Sequence, residues 1–198
     1  NPLPGLRLRR RPAWPPPDPE SSGSTHGGIK RKMNKTVMRL ILGIMLICWM
    51  FIIFWFSNQP ATESSEISGT ISYRLVEDTD DIFNWGLTAE QIRKIAGNIE
   101  YPIRKAAHMT EYAILGWIAF AFLGSCGIRG KMHYIAVLGF NFCYASTDEI
   151  HQLFIPGRSG QFKDVCIDTA GTAIGLLLLA ILLKIGRRHC AKRAHTLQ

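Results

Sequence analysis

The chain has 198 residues, 47% of them hydrophobic and 19% charged, with a formal net charge of +8; such totals fit one soluble domain, and only the distribution of the apolar residues excludes it. The positive charge does not point to nucleic acid, because the basic residues cluster beside long apolar runs, where membrane topology accounts for them. Five widely spaced cysteines, Cys48, Cys126, Cys143, Cys166 and Cys190, exclude a disulfide framework or a CxxC metal knuckle and are read as small buried hydrophobes.

Residues 1–32 combine Pro, Gly, Ser and Arg without periodicity and are expected to be disordered. Met33 opens "MNKTVMRL", a short basic lead into an apolar run. The functional protein is therefore expected to begin there, with residues 1–32 a non-native leader; the intact mass of natively expressed protein checks this. Leu40–Phe56, "LILGIMLICWMFIIFWF", predicts a first transmembrane helix over about 37–56, with Arg39 snorkelling at its edge. As a signal peptide the run is longer than a usual h-region, and "SNQPATESS" offers no small-residue cleavage site.

Between Ser57 and Lys105 stand eight acidic and five basic residues. The cluster Glu77–Asp81 lacks the glycine and spacing of an EF-hand and reads as a solvated face. Thr88 and Gln91 match a capping box, and Ile92, Ile95, Ala96 and Ile99 follow at helical spacing, predicting a short interfacial helix that Pro102 separates from the next span. Three further spans are expected at about 104–123, 132–155 and 165–185, closing a membrane domain over 33–186, with a basic tail at 187–198. Lys/Arg bias places the lead, the Arg129–Lys131 loop and the tail in the cytoplasm. The predicted fold is all-α, a polytopic membrane protein with four transmembrane helices, both termini cytoplasmic and one short interfacial helix outside.

The outer ends of three spans carry groups that are costly to bury. Arg104, His108, Glu111 and Tyr112 share one face of the second; Asp148, Glu149, His151 and Gln152 close the third; Asp164 and Asp168 open the fourth, with Gly171 and Gly175 continuing their stripe. Charges in a membrane segment normally face a protein interior or a wet cavity, so one outward polar pocket is expected. An internal lock pairing Arg104 or Arg158 with Asp148 or Asp168 is the structural alternative. Arg104, Lys105 and Arg158 suit a phosphate or carboxylate. Two chemistries remain open: a divalent metal on His108, Glu111, Asp148, Glu149 and His151, although HMTE is not HExxH; or His108 or a carboxylate acting as general acid or base beside the arginines. Ser159 in "GRSG" reads as a turn residue.

"FSNQPATESSEIS", "RKAAHMTEYAILG" and "DEIHQLFIPGRSGQFKDVCIDTAGTAIG" resemble the VanZ family of small bacterial membrane proteins over about Met33 to Ile185. The family pattern matches at Ser57, Gln59, Arg104, Lys105, His108, Glu111, Tyr112, Asp148, Glu149, Gln152, Arg158, Ser159, Asp164 and Gly171; where Asp168 stands the family often has Asn. The resemblance implies a bacterial cytoplasmic membrane location and a context of teicoplanin resistance, without a reaction. The site expected is then His108, Glu111, Asp148 and Glu149 for proton chemistry, with Arg104, Lys105, Tyr112, Gln152, Arg158, Ser159, Asp164 and Asp168 holding an anionic lipid-linked envelope component. The partners expected are membrane lipids rather than nucleic acid. A non-enzymatic lipid- or drug-binding module and a scaffold for a membrane complex are the rivals.

Overall fold

A computed structural model describes residues 34–196, with side chains to residue 189. The expected leader, residues 1–32, lies outside the described residues, as do the side chains of the basic tail from Cys190 onward. Among the described residues there are five helices and no strand: α1 (Lys35–Ser57), α2 (Ala61–Phe83), α3 (Ala89–Ser125), α4 (Lys131–Gln152) and α5 (Phe162–Thr196).

Three of them, α1, α3 and α5, are long and apolar enough to cross a membrane. Their outward surface is hydrocarbon: Leu40, Ile47 and Trp55 on α1 and Leu177 and Leu182 on α5 are exposed, as expected of helices whose solvent is lipid. The fourth expected span, α4, has the length, about 33 Å for 22 residues, but falls short in mean hydropathy. The reason is local. It turns His133, Asn141, Asp148, Glu149 and Gln152 inward, while Ile135, Phe142 and Ile150 stay outside.

Helices α1, α3, α4 and α5 alternate in direction. At one end Arg39 Nε donates to Ser125 O at 2.8 Å, so the start of α1 caps the last carbonyls of α3 with a cation. His133, near the start of α4, bonds Phe120 O at 2.8 Å and stacks on the Phe120 ring, making α3 and α4 antiparallel. At the other end Tyr144 donates to Met50 O at 2.5 Å and Gln152 to Ser57 Oγ at 2.9 Å, which sets α4 parallel to α1. Helix α3 touches all four others, and the shared core is Leu46 and Ile53, Tyr112 and Leu115, Val137 and Ala145, Val165 and Leu176.

The α3–α5 seam is nearly free of side chains. A Cβ on Gly171 would stand 2.7 Å from Met109 Cα and closer still to its carbonyl oxygen, and one on Gly175 would stand 2.8 Å from Ala113 Cβ. The small-residue stripe thus lets two backbones meet. Across the contact Thr172 Oγ1 donates to Tyr112 O at 3.1 Å and Trp117 Nε1 to Gly175 O at 2.7 Å.

Three expectations need correction. The outer segment holds no short isolated helix. It holds the 23-residue α2, and the amphipathic stretch beginning at the Thr88–Gln91 capping box runs without a break through Pro102 into α3. Proline removes one helical hydrogen bond, that to Asn98 O; Asn98 is exposed, so its carbonyl can be hydrated. Helix α2 also grips α3 on both sides of the proline, through Val76 on Ile92 and Ala96 before it and through the Ser65 and Ser68 hydroxyls on Arg104 after it. Asn84 in the left-handed conformation (φ 51°) ends α2, and Asp80 accepts from Leu87 N at 3.2 Å, so one member of the acidic cluster holds the turn. Finally, Cys48, Cys126, Cys143 and Cys166 are free and exposed rather than buried; on a lipid-facing surface a thiol is another small apolar group.

Pro102→Ala restores the missing bond at a position already helical. We expect a higher unfolding temperature in detergent, by at most the equivalent of about 3 kcal/mol, with unchanged helicity by circular dichroism.

Candidate functional site

The ends of α1 and α4, the start of α5 and the middle of α3 meet on one side of the bundle, and the polar residues are concentrated there. Between α4 and α5 the chain passes through "LFIPGRSGQ", where Gly157 takes a left-handed turn (φ 75°) that a side chain would strain. Ile155 O accepts from Arg158 N at 3.1 Å, and Ala61 N donates to Pro156 O at 3.3 Å, so this loop is tied to the start of α2.

A cavity of about 160 Å³ opens beneath the loop. Arg104, Lys105 and His108 enter from α3, Glu149 and Gln152 from α4, Arg158 and Ser159 from the loop, and Asp164 and Asp168 from α5. Nine of the twelve residues expected from sequence thus line one space. The other three stand behind it. Tyr112 is fully buried, its ring 6.1 Å from that of Tyr144 and its hydroxyl without a partner among the described residues. Asp148, 3% exposed, sits one turn deeper than Gln152. Glu111 lines an adjoining apolar groove, its Oε2 3.4 Å from His108 Nδ1, within ion-pair distance but without hydrogen-bond geometry.

Two of the three cations are already neutralised. Lys105 Nζ lies 2.6 Å from Asp164 Oδ2 and 5.4 Å above the Tyr101 ring. Arg104 pairs with Glu100 one turn earlier and donates to Ser65 Oγ at 2.8 Å and Ser68 Oγ at 3.2 Å. Arg158 differs. Its Nε donates to Gln59 O at 2.8 Å and one terminal nitrogen to Phe56 O at 3.3 Å, capping the end of α1, and among the described residues it has no carboxylate partner. Burial pulls its guanidinium below the ordinary value. The lock suggested by sequence, arginine to Asp148 or Asp168, does not form; Glu100 and the α1 carbonyls take the arginines instead.

Gln152 organises the acidic wall. Its amide nitrogen lies 2.9 Å from Ser57 Oγ, 3.1 Å from Glu149 Oε1 and 3.4 Å from Asp148 Oδ2. Glu149 Oε2 accepts from Gln161 N at 2.9 Å, and Ser159 Oγ accepts from Gln161 Nε2 at 3.0 Å, so Ser159 combines a place in the cavity lining with a turn contact. Asp168, 4% exposed, makes no side-chain hydrogen bond among the described residues and faces the cavity.

The metal arrangement is not assembled: among the described residues no three His, Cys, Asp or Glu side chains converge at ligand spacing. His151 turns away, its ring 4.4 Å from that of Phe54. Sequence reasoning overlooked Ser64 and Tyr101 in the lining and the Ser65, Ser68 and Glu100 partners of Arg104. The signal was present in α2, where Ser65, Ser68 and Ser72 recur at helical spacing and Ser68 and Ser72 are buried.

A family model described as VanZ/LLP1 matches residues 42–183, which takes in α2, α3 and α4, most of α1 and α5, and the whole of this cavity. No curated protein and no solved structure matches the chain.

Proposed function

The chain belongs to the VanZ/LLP1 family, and from that premise we propose that it is a four-span bacterial cytoplasmic membrane protein whose polar cavity faces outward and takes the anionic group of a lipid-linked envelope component, lowering the action of lipoglycopeptides such as teicoplanin. The alternating helix directions support α4 as the fourth span, and the basic residues flanking α1, the α3–α4 turn and the end of α5 support the opposite, cytoplasmic side for those ends. One observation carries the site: nine of the polar residues expected from sequence, drawn from three helices and a loop, line one cavity in which Arg158 has, among the described residues, no carboxylate partner. Its unused guanidinium donors match phosphate or carboxylate oxygens. His108 with Glu111, and Glu149 with Asp148 behind it, are placed to orient that group or to move a proton on it.

The test is protection of a teicoplanin-sensitive host. Wild-type protein is expected to raise the inhibitory concentration and Arg158→Ala to return it to the empty-vector level at equal membrane abundance; full protection by Arg158→Ala would refute the assignment. A second reading, a binding module without chemistry, draws support from the paired state of Arg104 and Lys105, which leaves one cation for a ligand. Incubating purified protein with candidate lipid intermediates separates the two, since an enzyme changes them with time and a module only retains them.

A further inference from the structure

A second cavity, about 150 Å³, adjoins the polar one. Ser64, Arg104, His108 and Arg158 line both. Its remaining wall is mostly apolar, with Phe56 at the end of α1, Ile67 and Ile71 on α2, and Ile103 and Ala107 on α3, beside the polar Gln59, Ser68 and Glu111. Phe56, Ile67 and Ile71 are about half exposed, at 44%, 49% and 52%, so the groove is bordered on its open side by apolar side chains of α1 and α2. Glu111, the acidic group in its wall, faces His108.

Each space holds about five times the ~30 Å³ share of one water molecule. Neither accommodates a lipid, but together they divide as an amphiphile does. We infer that the ligand is a membrane-embedded phospholipid-like molecule that enters sideways, its anionic head in the polar cavity at Arg158 and its hydrocarbon chain along Ile67, Ile71, Ile103 and Ala107. This rests on the anion-binding reading and adds to it the chain, its route and the residues that contact it. A water-soluble anion would use the polar cavity alone and leave an apolar groove beside a guanidinium without purpose. The hydrophobic effect supplies nothing for a chain leaving lipid for an apolar wall, so chain contact there adds packing and selects by shape rather than by transfer energy.

Ala107 is exposed on α3 and its side chain is the smallest in the groove wall, so Ala107→Trp fills the groove without entering the core; Ile67→Trp does the same from α2. Full-length protein in detergent is titrated with dioleoyl phosphatidate and, separately, with inorganic phosphate. For both groove variants we expect at least tenfold weaker phosphatidate binding, with phosphate binding within twofold of wild type, which also reports a folded head site. Arg158→Ala should weaken both probes. If both groove variants bind phosphatidate like wild type while Arg158→Ala loses both probes, the chain route is overturned and the head site stands. If Arg158→Ala changes neither probe, or wild type binds neither, the head site falls and the chain route with it.

Discussion

Gly171→Leu should sharply lower the yield and the unfolding temperature of the folded protein. The substitution puts a branched side chain where even a Cβ would meet the Met109 Cα at 2.7 Å, and the atoms in the way are backbone, which cannot change rotamer. Overpacking a tight core costs about 1–3 kcal/mol when side chains can yield. Here the whole of α5 must move off α3, breaking the Thr172–Tyr112 and Trp117–Gly175 bonds, so the loss should be at least about 3 kcal/mol, large against the 5–15 kcal/mol typical of a folded protein. Gly97→Ala is the control. Nothing lies within 4 Å of a Cβ there, and replacing a mid-helix glycine by alanine should stabilise by up to about 1 kcal/mol. Monodisperse yield and unfolding temperature in one detergent report both. A Gly171→Leu protein as stable as wild type would mean that the α3–α5 contact is not close.

Periodicity and charge announced the helices that meet lipid, because a bilayer imposes a length and a composition that a single chain displays directly. The α1 run is of this kind, and so is the Gly171–Gly175 stripe, which signalled a close helix pair before any partner was known. What stayed hidden depends on partners. Helix α2 has neither the length of apolar run nor the propensity to identify itself; its Ser68, Ser72 and Val76 face has meaning only against α3. Pro102 read as a boundary for the same reason, since the splint that keeps the helix continuous comes from another segment. Likewise the pairing of Arg104 with Glu100 and of Lys105 with Asp164, rather than with Asp148 or Asp168, follows from side-chain reach in a packed bundle. Depth is also invisible in one dimension, and it separates Glu149 and Gln152, which line the cavity, from Asp148 and Tyr112, which lie behind it.

That layered arrangement makes Gln152→Leu the most informative change in the acidic wall. Leucine is close in size, so the packing survives while the only amide between Asp148, Glu149 and Ser57 disappears. Glu149 keeps Gln161 N at 2.9 Å, whereas Asp148, already with one oxygen unpartnered, loses the Gln152 amide and is left with the Ser57 hydroxyl. Removing a hydrogen bond to a charged group costs about 1.5–3 kcal/mol; an overall loss of about 2 kcal/mol is therefore expected. The origin of that loss can be separated from loss of volume. On the Gln152→Leu background Asp148→Asn should recover part of the stability, because a neutral amide needs less from its surroundings, while in the wild type the same substitution should recover none. Unfolding temperatures of the four proteins close the cycle. Equal effects of Asp148→Asn on both backgrounds would show that Gln152 and Asp148 are not energetically linked and that the acidic wall is held by the helices alone.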